Sequence, residues 1–398
     1  MTVKVIRWGI LATGNIAQTF TKDLLVDPAT RDVYTVKHTV VAAASSSGVQ
    51  RAREFLEQVK APPTARPYGS YIDLAQDPDV DIIYISTPHS HHYQNVRLCL
   101  EAGKNVLCEK AFTVNAVQAK ELVRLARQKD LFLMEALWTR YFPLSIYVRD
   151  TITSGKLGTI IRAFADNSLN FELEKNFHKE HRMVSPDLAG GALLDSGIYA
   201  LTWIFQSVYT TQPGDTCKPP RVLSSVRKYG ATGVDEAATI LLSFPRDAQL
   251  GGDIHAIATT SFLVSNNIDG KGTSGPAVRI QGQNGELQVW PPLWRPNRTR
   301  LILADGTVED KTFPIPGPGK GSGWYNGYPL VGMNSEGEGY GMFWEADEAG
   351  MALLEGRKEG IYESLDESVV IMEVMDEVRK QCGLVYPENI ESTVATEL

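Results

Sequence analysis

Cysteine is scarce in this chain: Cys99, Cys108, Cys217 and Cys382 are its four cysteines in 398 residues, and no two form a CxxC pair. Paired-thiol zinc knuckles and a disulfide framework are thereby excluded, and the thiols read as buried side chains of a reducing compartment. Positive charge is also in short supply. The 39 lysines and arginines face 47 aspartates and glutamates, for a net charge of −8. The basic residues are scattered, which argues against a phosphate-backbone footprint and so against nucleic acid as a partner. No apolar run approaches the roughly 20 residues of a membrane helix, so no membrane partner is expected. The start, Met1-Thr-Val-Lys4-Val-Ile-Arg7, passes straight into a strand pattern without the features of a secretory signal, and a cytoplasmic protein is expected.

What is present is the composition of a globular protein, 43% hydrophobic and 22% charged, long enough for two domains with sizeable cores. From Val3 to about Met134 short apolar strands alternate with amphipathic helices, the pattern of a parallel sheet covered on both faces. The strands are predicted at Val5 to Leu11, Thr39 to Ala44, Asp81 to Ser86, Asn105 to Cys108 and Leu131 to Met134. Helices are predicted at Ser90 to Glu101 and at Asn115 to Arg127, the second opened by Asn115 as N-cap with Gln118 three residues on. This is a dinucleotide-binding (Rossmann) domain in outline, assigned to residues 1–138.

Past Arg140 the pattern changes. A helical stretch from Gly191 to Gln206 is followed by strand-like runs at Ala237 to Phe244, Ala256 to Leu263, Ala277 to Ile280 and Glu286 to Trp290. Separated by Gly and Pro clusters, they imply a large, mostly antiparallel sheet in an α+β domain, residues 139–398, with carboxy-terminal helices over 343–382. The fold class is therefore α/β plus α+β. Helices can cover one face of such a sheet and a second subunit the other, so a homodimer through this sheet is expected. The glycine-rich stretch from Pro314 to Gly341 has neither period and reads as a long loop, of a length found in lids and in insertions.

Three features point to cofactor chemistry. After the first strand, Gly9-Ile-Leu-Ala12-Thr13-Gly14-Asn15-Ile16-Ala17 reads as strand, tight turn and helix start. It is a degenerate GxGxxG with alanine at positions 12 and 17, in which Gly14 lets the backbone approach a pyrophosphate over the helix N-terminus. The second strand ends in Ser45-Ser46-Ser47-Gly48, with Arg51 close behind. No carboxylate stands there to repel a 2′-phosphate, and hydroxyls plus a guanidinium suit that dianion, so NADP is favoured over NAD. Glu109-Lys110 ends the apolar run Asn105 to Cys108, which places Lys110 where strand ends meet a ligand. His89, His91 and His92 lie close together, but no further ligand cluster accompanies them, and no metal is expected.

These turns, together with Thr87-Pro88-His89-Ser90-His91-His92, Met134-Glu-Ala-Leu-Trp138-Thr-Arg140-Tyr-Phe-Pro143 and Gly190-Gly-Ala-Leu-Leu-Asp195-Ser-Gly197-Ile-Tyr199, resemble the glucose-fructose oxidoreductase and inositol dehydrogenase superfamily. Within it the chain is most similar to the dimeric dihydrodiol dehydrogenases and the fungal NADP-dependent D-xylose 1-dehydrogenases. His181-Arg-Met-Val184 and Gly341-Met-Phe-Trp-Glu-Ala-Asp-Glu348 bring it closest to the fungal pentose enzymes.

The resemblance implies that Lys110, Asp195 and Tyr199 form the catalytic group and that a small sugar is the substrate. Oxidising a hemiacetal at C1 removes the hydroxyl proton as hydride departs, which needs an acid/base on that oxygen. Tyr199 takes that part, with Lys110 stabilising its phenolate and Asp195 orienting the pair. The resemblance also carries Thr87, Pro88, His89, His92 and Glu109 to the cofactor, Trp138 and Arg140 to the nicotinamide end, and Arg182 to the substrate hydroxyls. The wider family has proline after the Glu-Lys pair, whereas Ala111 follows here, and a cis peptide costs more without proline. Action on trans-dihydrodiols or dicarbonyls, and a non-catalytic NADP sensor, stand as the alternative readings.

Overall fold

The computed structural model describes residues 3–212, 217–328 and 335–394. They form two compact units, one of Met1–Tyr141, Ile315–Ser368 and Ser392–Leu398, the other of Phe142–Pro314 and Val369–Glu391.

The first unit is built on six parallel strands: β1 (Lys4–Leu11), β2 (Val36–Ala44), β3 (Arg66–Tyr68), β4 (Ile82–Ile85), β5 (Asn105–Glu109) and β6 (Leu133–Ala136). Their order is β3-β2-β1-β4-β5-β6. Every residue of the Ile-Ile-Tyr-Ile strand β4 is buried, as expected of a central parallel strand covered on both faces. The helix Asn15–Leu24 buries Ala17, Phe20 and Leu24, spaced three and four apart so that one face meets the sheet. Asn115 caps the helix Ala116–Gln128 by accepting the Gln118 amide at 2.9 Å.

The chain returns to this unit late. Asp23, fully enclosed, accepts the amides of Tyr340, Gly341 and Met342 at 2.9, 2.6 and 2.8 Å and the Asn326 side chain at 2.7 Å. Asp347, on the helix Phe343–Glu355, accepts both arms of Arg31 at 2.5 and 2.7 Å and meets His38 Nε2 at 3.0 Å. The glycine-rich segment between folds back on itself, with Gly319 N on Gly337 O at 3.0 Å and Gly339 N on Pro316 O at 2.9 Å; its residues 329–334 lie outside the described part.

The second unit carries eight strands: β7 (Ile160–Ser168), β8 (Arg221–Lys228), β9 (Asp235–Phe244), β10 (Ile254–Ser261), β11 (Val278–Gly282), β12 (Gly285–Val289), β13 (Arg298–Leu303) and β14 (Val308–Thr312). The order is β14-β13-β12-β11-β7-β10-β9-β8, antiparallel except between β7 and β10. Ala163, Ala165, Ala238, Ala256 and Ala258 line its covered face, and such short side chains let the helix Ile198–Ile204 lie close against β7 and β10. The stretch Pro186–Tyr209 is long and apolar enough to cross a bilayer by composition alone, yet 89% of that window is buried within the protein. Its apolar surface belongs to the core of this unit.

Candidate active site

In the first unit the candidate cofactor residues lie at the carboxyl ends of the sheet. Ala12 adopts φ = 75°, the left-handed region that a glycine enters without strain, so the turn keeps the shape of a glycine fingerprint with alanine in the tight position. Gly14 is the N-cap residue of the helix Asn15–Leu24 and offers no side-chain cap; no acidic side chain stands in the first turn, and the space a Cβ would take is open. The amides of this helix end are therefore directed at open space, a fit for a pyrophosphate. Thr13 is buried and Ile16 half-buried, while Asn15 is exposed.

At the end of β2, Ser45 is buried and turns its hydroxyl to the Ser47 amide at 3.2 Å, whereas Ser46 and Ser47 are exposed. Arg51 reaches back from the next helix to Thr13 O at 3.3 Å and toward Glu54 at 3.9 Å. Its guanidinium thus links the fingerprint turn to the serine turn, where a 2′-phosphate on the adenosine ribose would meet it.

After β4, Thr87 and Pro88 are half-buried, and Thr87 Oγ1 accepts from Asn95 at 3.2 Å. His92 has no exposed surface. Its two ring nitrogens lie 2.9 Å from the carbonyl oxygens of Thr87 and Ala111, so it braces the Thr87 turn against the Lys110 turn. Burial pushes His92 down to about 4, so at pH 7 the neutral ring donates its one N–H to one of these carbonyls at a time. His89 packs edge-on against it at 5.7 Å.

Glu109 ends β5 with Tyr84 donating to it at 2.5 Å from the neighbouring strand, and its other oxygen accepts the Lys110 amide at 3.2 Å. The Lys110–Ala111 peptide is cis although no proline follows. Lys110 is half-buried.

Trp138 and Arg140, which the resemblance carries to the nicotinamide end, sit deeper. Trp138 is 2% exposed and stacks on Tyr340 at 5.0 Å. Arg140 is fully buried, paired with Glu367 and, at 3.7 Å, with Glu363. An enclosed guanidinium between two carboxylates holds these segments together and presents no surface to a cofactor.

The second unit carries its own group of candidate residues. Leu193–Gly197 forms a π-helical turn that continues into the helix Ile198–Ile204. The wider turn carries Asp195, and the following helix carries Tyr199; turns of this kind occur often at functional sites. Asn167 of β7 supports it by donating to Ser196 O at 2.9 Å, and Asp235 of β9 accepts the Leu193 amide at 2.5 Å. Arg182 donates to Asp195 Oδ1 at 2.9 Å. Next to Arg182, Met183 and Val184 are anchored in an apolar cluster with Leu173, Phe177, Tyr229, Val234 and Phe262, which fixes the loop at about 1.5–3 kcal/mol for each fully buried side chain. Neither Asn167 nor Asp235 is singled out by its sequence context, since both read as ordinary strand residues.

The first unit thus offers an uncapped helix end and a lysine after a strand end, and the second a helical turn with aspartate and tyrosine and an arginine on the loop before it. Comparison with known proteins decides the family. Residues 6–137 match the profile described as "Oxidoreductase family, NAD-binding Rossmann fold". Over 394 residues the chain is 48% identical to the D-xylose 1-dehydrogenase (NADP(+)) of Hypocrea jecorina, covering 98% of this chain and 95% of that one. The protein belongs to the GFO/IDH/MocA oxidoreductase family.

Within this family it is also 36% identical over 384 residues to the trans-1,2-dihydrobenzene-1,2-diol dehydrogenase of Homo sapiens, covering 96% of this chain and 99% of that one. Among solved structures, levoglucosan dehydrogenase in complex with NADH and levoglucosan matches with a TM-score of 0.74 at 16% identity, over 95% of this chain and 97% of that one. The aldose-aldose oxidoreductase of Caulobacter crescentus matches with a TM-score of 0.70 at 19% identity and the same coverage. At these identities the likeness extends to the fold of the family member described here and no further.

Proposed function

We propose that the protein is an NADP-dependent dehydrogenase that oxidises an aldopyranose, D-xylose first among them, at C1 to the aldonolactone. The observation that carries this reading is the 48% identity to an NADP-dependent D-xylose 1-dehydrogenase across nearly the whole chain. The uncapped Gly14 helix end, with Ser46, Ser47 and Arg51 beside it, supports NADP as the cofactor. Bound NADP supplies the hydride acceptor for C1. Tyr199 takes the proton of the C1 hydroxyl, Lys110 stabilises the phenolate that Tyr199 needs for this, and Asp195 orients them. Arg182 donates to Asp195, and a guanidinium in this position suits sugar hydroxyls. A polar pair in this position favours a sugar over an aromatic diol, which calls for apolar walls.

A second copy of the chain is proposed as partner, through the sheet face opposite the helix Ile198–Ile204. Leu223, Leu241, Arg162 and Arg279 lie on that face with their side chains outward. Sedimentation at micromolar concentration checks this: a single-chain mass would overturn it.

The test of the activity is absorbance of reduced nicotinamide with purified protein, NADP or NAD, and D-xylose, D-glucose, L-arabinose or an aromatic trans-dihydrodiol. Reduction of NADP with D-xylose is expected. Turnover of the dihydrodiol alone would move the assignment to that alcohol, and cofactor binding without any turnover would make the protein a sensor.

A further inference from the structure

Asp235 opens β9 and is 1% exposed. Its Oδ2 takes the Leu193 amide, at the start of the π turn that carries Asp195. Its Oδ1 lies over Gly191, where an added Cβ would come within 2.2 Å of it, and Gly191 has φ = 125°. Both the space and the backbone therefore demand glycine. One residue earlier, a Cβ on Gly190 would meet the Arg182 carbonyl oxygen at 2.8 Å. The Gly190-Gly191 pair and Asp235 thus form one device, a tight approach of backbone to carboxylate at the helix mouth.

The free N–H groups at the start of a helix attract any carboxylate near them. Asp195, the third residue of this helix, would ordinarily turn back to accept one. Here the Leu193 N–H is already taken by Asp235, the Asp195 amide points to Gly191 O at 3.4 Å, and the Asp195 carboxylate accepts from Arg182. We propose that Asp235 is a positioning residue: it caps the helix in place of Asp195 and so leaves Asp195 to serve Arg182 and Tyr199. The inference rests on the part assigned to Asp195 and Tyr199 above.

The surroundings of Asp235 give the device a pH signature. From the helix Leu365–Cys382, Arg379 acts on it, itself paired with Asp376 and Glu391 and lying 4.3 Å over the Tyr386 ring. Tyr386 donates to Gly190 O at 3.5 Å. Burial, the largest influence, lifts Asp235 to about 6, against the pull of the Leu193 N–H and of Arg379. A carboxyl raised in this way is more stable in the fold when protonated, so the stability it contributes is present at low pH and lost as pH rises through about 6. Removing the charge at neutral pH therefore removes a burial cost while weakening the cap. Stability and catalysis are expected to move in opposite directions, which a plain structural role would not produce.

The experiment compares Asp235→Asn, which keeps an oxygen for the Leu193 amide, with Asp235→Ala, which keeps none. NADP affinity is expected to stay at the wild-type value in both. With D-xylose, kcat is expected to fall about tenfold or more in the Ala variant and to be partly restored in the Asn variant. In wild type kcat is expected to fall as pH drops through about 6, and this fall is expected to be absent in Asp235→Asn, whose Tm at pH 7 is not below wild type. Hydrogen exchange at the amides of residues 191–196, which needs no substrate, is expected to rise in the Ala variant and to stay near wild type in the Asn variant. If wild type turns over no sugar or diol, the functional reading fails and the exchange data alone judge Asp235. Wild-type exchange in Asp235→Ala overturns the proposal. Should that variant fail to fold, an Asn variant that keeps the wild-type acid limb overturns it as well.

Discussion

Arg182 holds the carboxylate of Asp195 at 2.9 Å from a loop whose next two residues, Met183 and Val184, are buried. The charge is fixed by packing as well as by attraction, so replacing Arg182 changes the site without dislodging the loop. Arg182→Met is expected to lower kcat/KM for D-xylose by about 10- to 100-fold, the scale of losing a positioned charged donor. Arg182→Lys should recover part of it, because an ammonium supplies the charge but not the planar fork. Steady-state kinetics on both variants check this, with NADP affinity as the control that should stay fixed.

Cofactor choice is expected to depend on Arg51, which links Thr13 O to the exposed serine turn after β2. Arg51→Ala should weaken NADP by about tenfold or more, the worth of a charge-assisted contact to a phosphate, and leave NAD nearly untouched. Fluorescence titration with each cofactor reads the ratio; equal losses for both would remove Arg51 from the 2′-phosphate.

Much of the first sheet was legible in the sequence because buried parallel strands read as short apolar runs, and Asn115 announced its own helix. The strand β3 was not, since Arg66-Pro67-Tyr68 is three residues with a proline and no alternation. Nor was the parallel pairing of β7 with β10, because pairing partners are set by topology and leave no mark on either strand. The motif around Trp138 and Arg140 was visible, but its surroundings were not. Arg140 meets Glu363 and Glu367, more than 200 residues along the chain, and no local pattern records that an arginine will be enclosed between them. Asp235 was missed for the same reason, since its partner, the Leu193 amide, is a backbone group.

Ala12 provides a test of backbone strain. At φ = 75° alanine costs about 1 kcal/mol, partly offset because glycine gives the unfolded chain more freedom. Ala12→Gly is therefore expected to be tolerated, with a Tm equal to or slightly above wild type and NADP binding intact. Ala12→Val should destabilise by about 2 kcal/mol or more, because a β-branched residue is far less tolerant of positive φ. Thermal melts of the two variants, with and without NADP, distinguish this from a simple size effect at the turn.

Glu345 is the residue whose protonation should be read in stability. On the helix Phe343–Glu355, Asp347 is paired with Arg31, and Glu348 with Arg357 at 2.6 Å. Glu345 is fully buried, and neither of its oxygens has a hydrogen-bond partner among the described residues. Burial first, then the negative charges of Glu109, Glu363 and Asp23, holds its carboxyl well above the usual range, with Tyr84 and Tyr141 also facing it. The folded protein therefore holds this proton to higher pH than the unfolded chain does. The contribution to stability is therefore complete below the ordinary glutamate value and declines as pH rises through the raised one. Glutamine has the shape of the protonated acid and no charge to bury. Glu345→Gln is expected to match wild type at low pH and to gain on it steadily as pH rises. Urea unfolding at a series of pH values checks this, and parallel curves for the two proteins would mean that Glu345 is ionised in the fold.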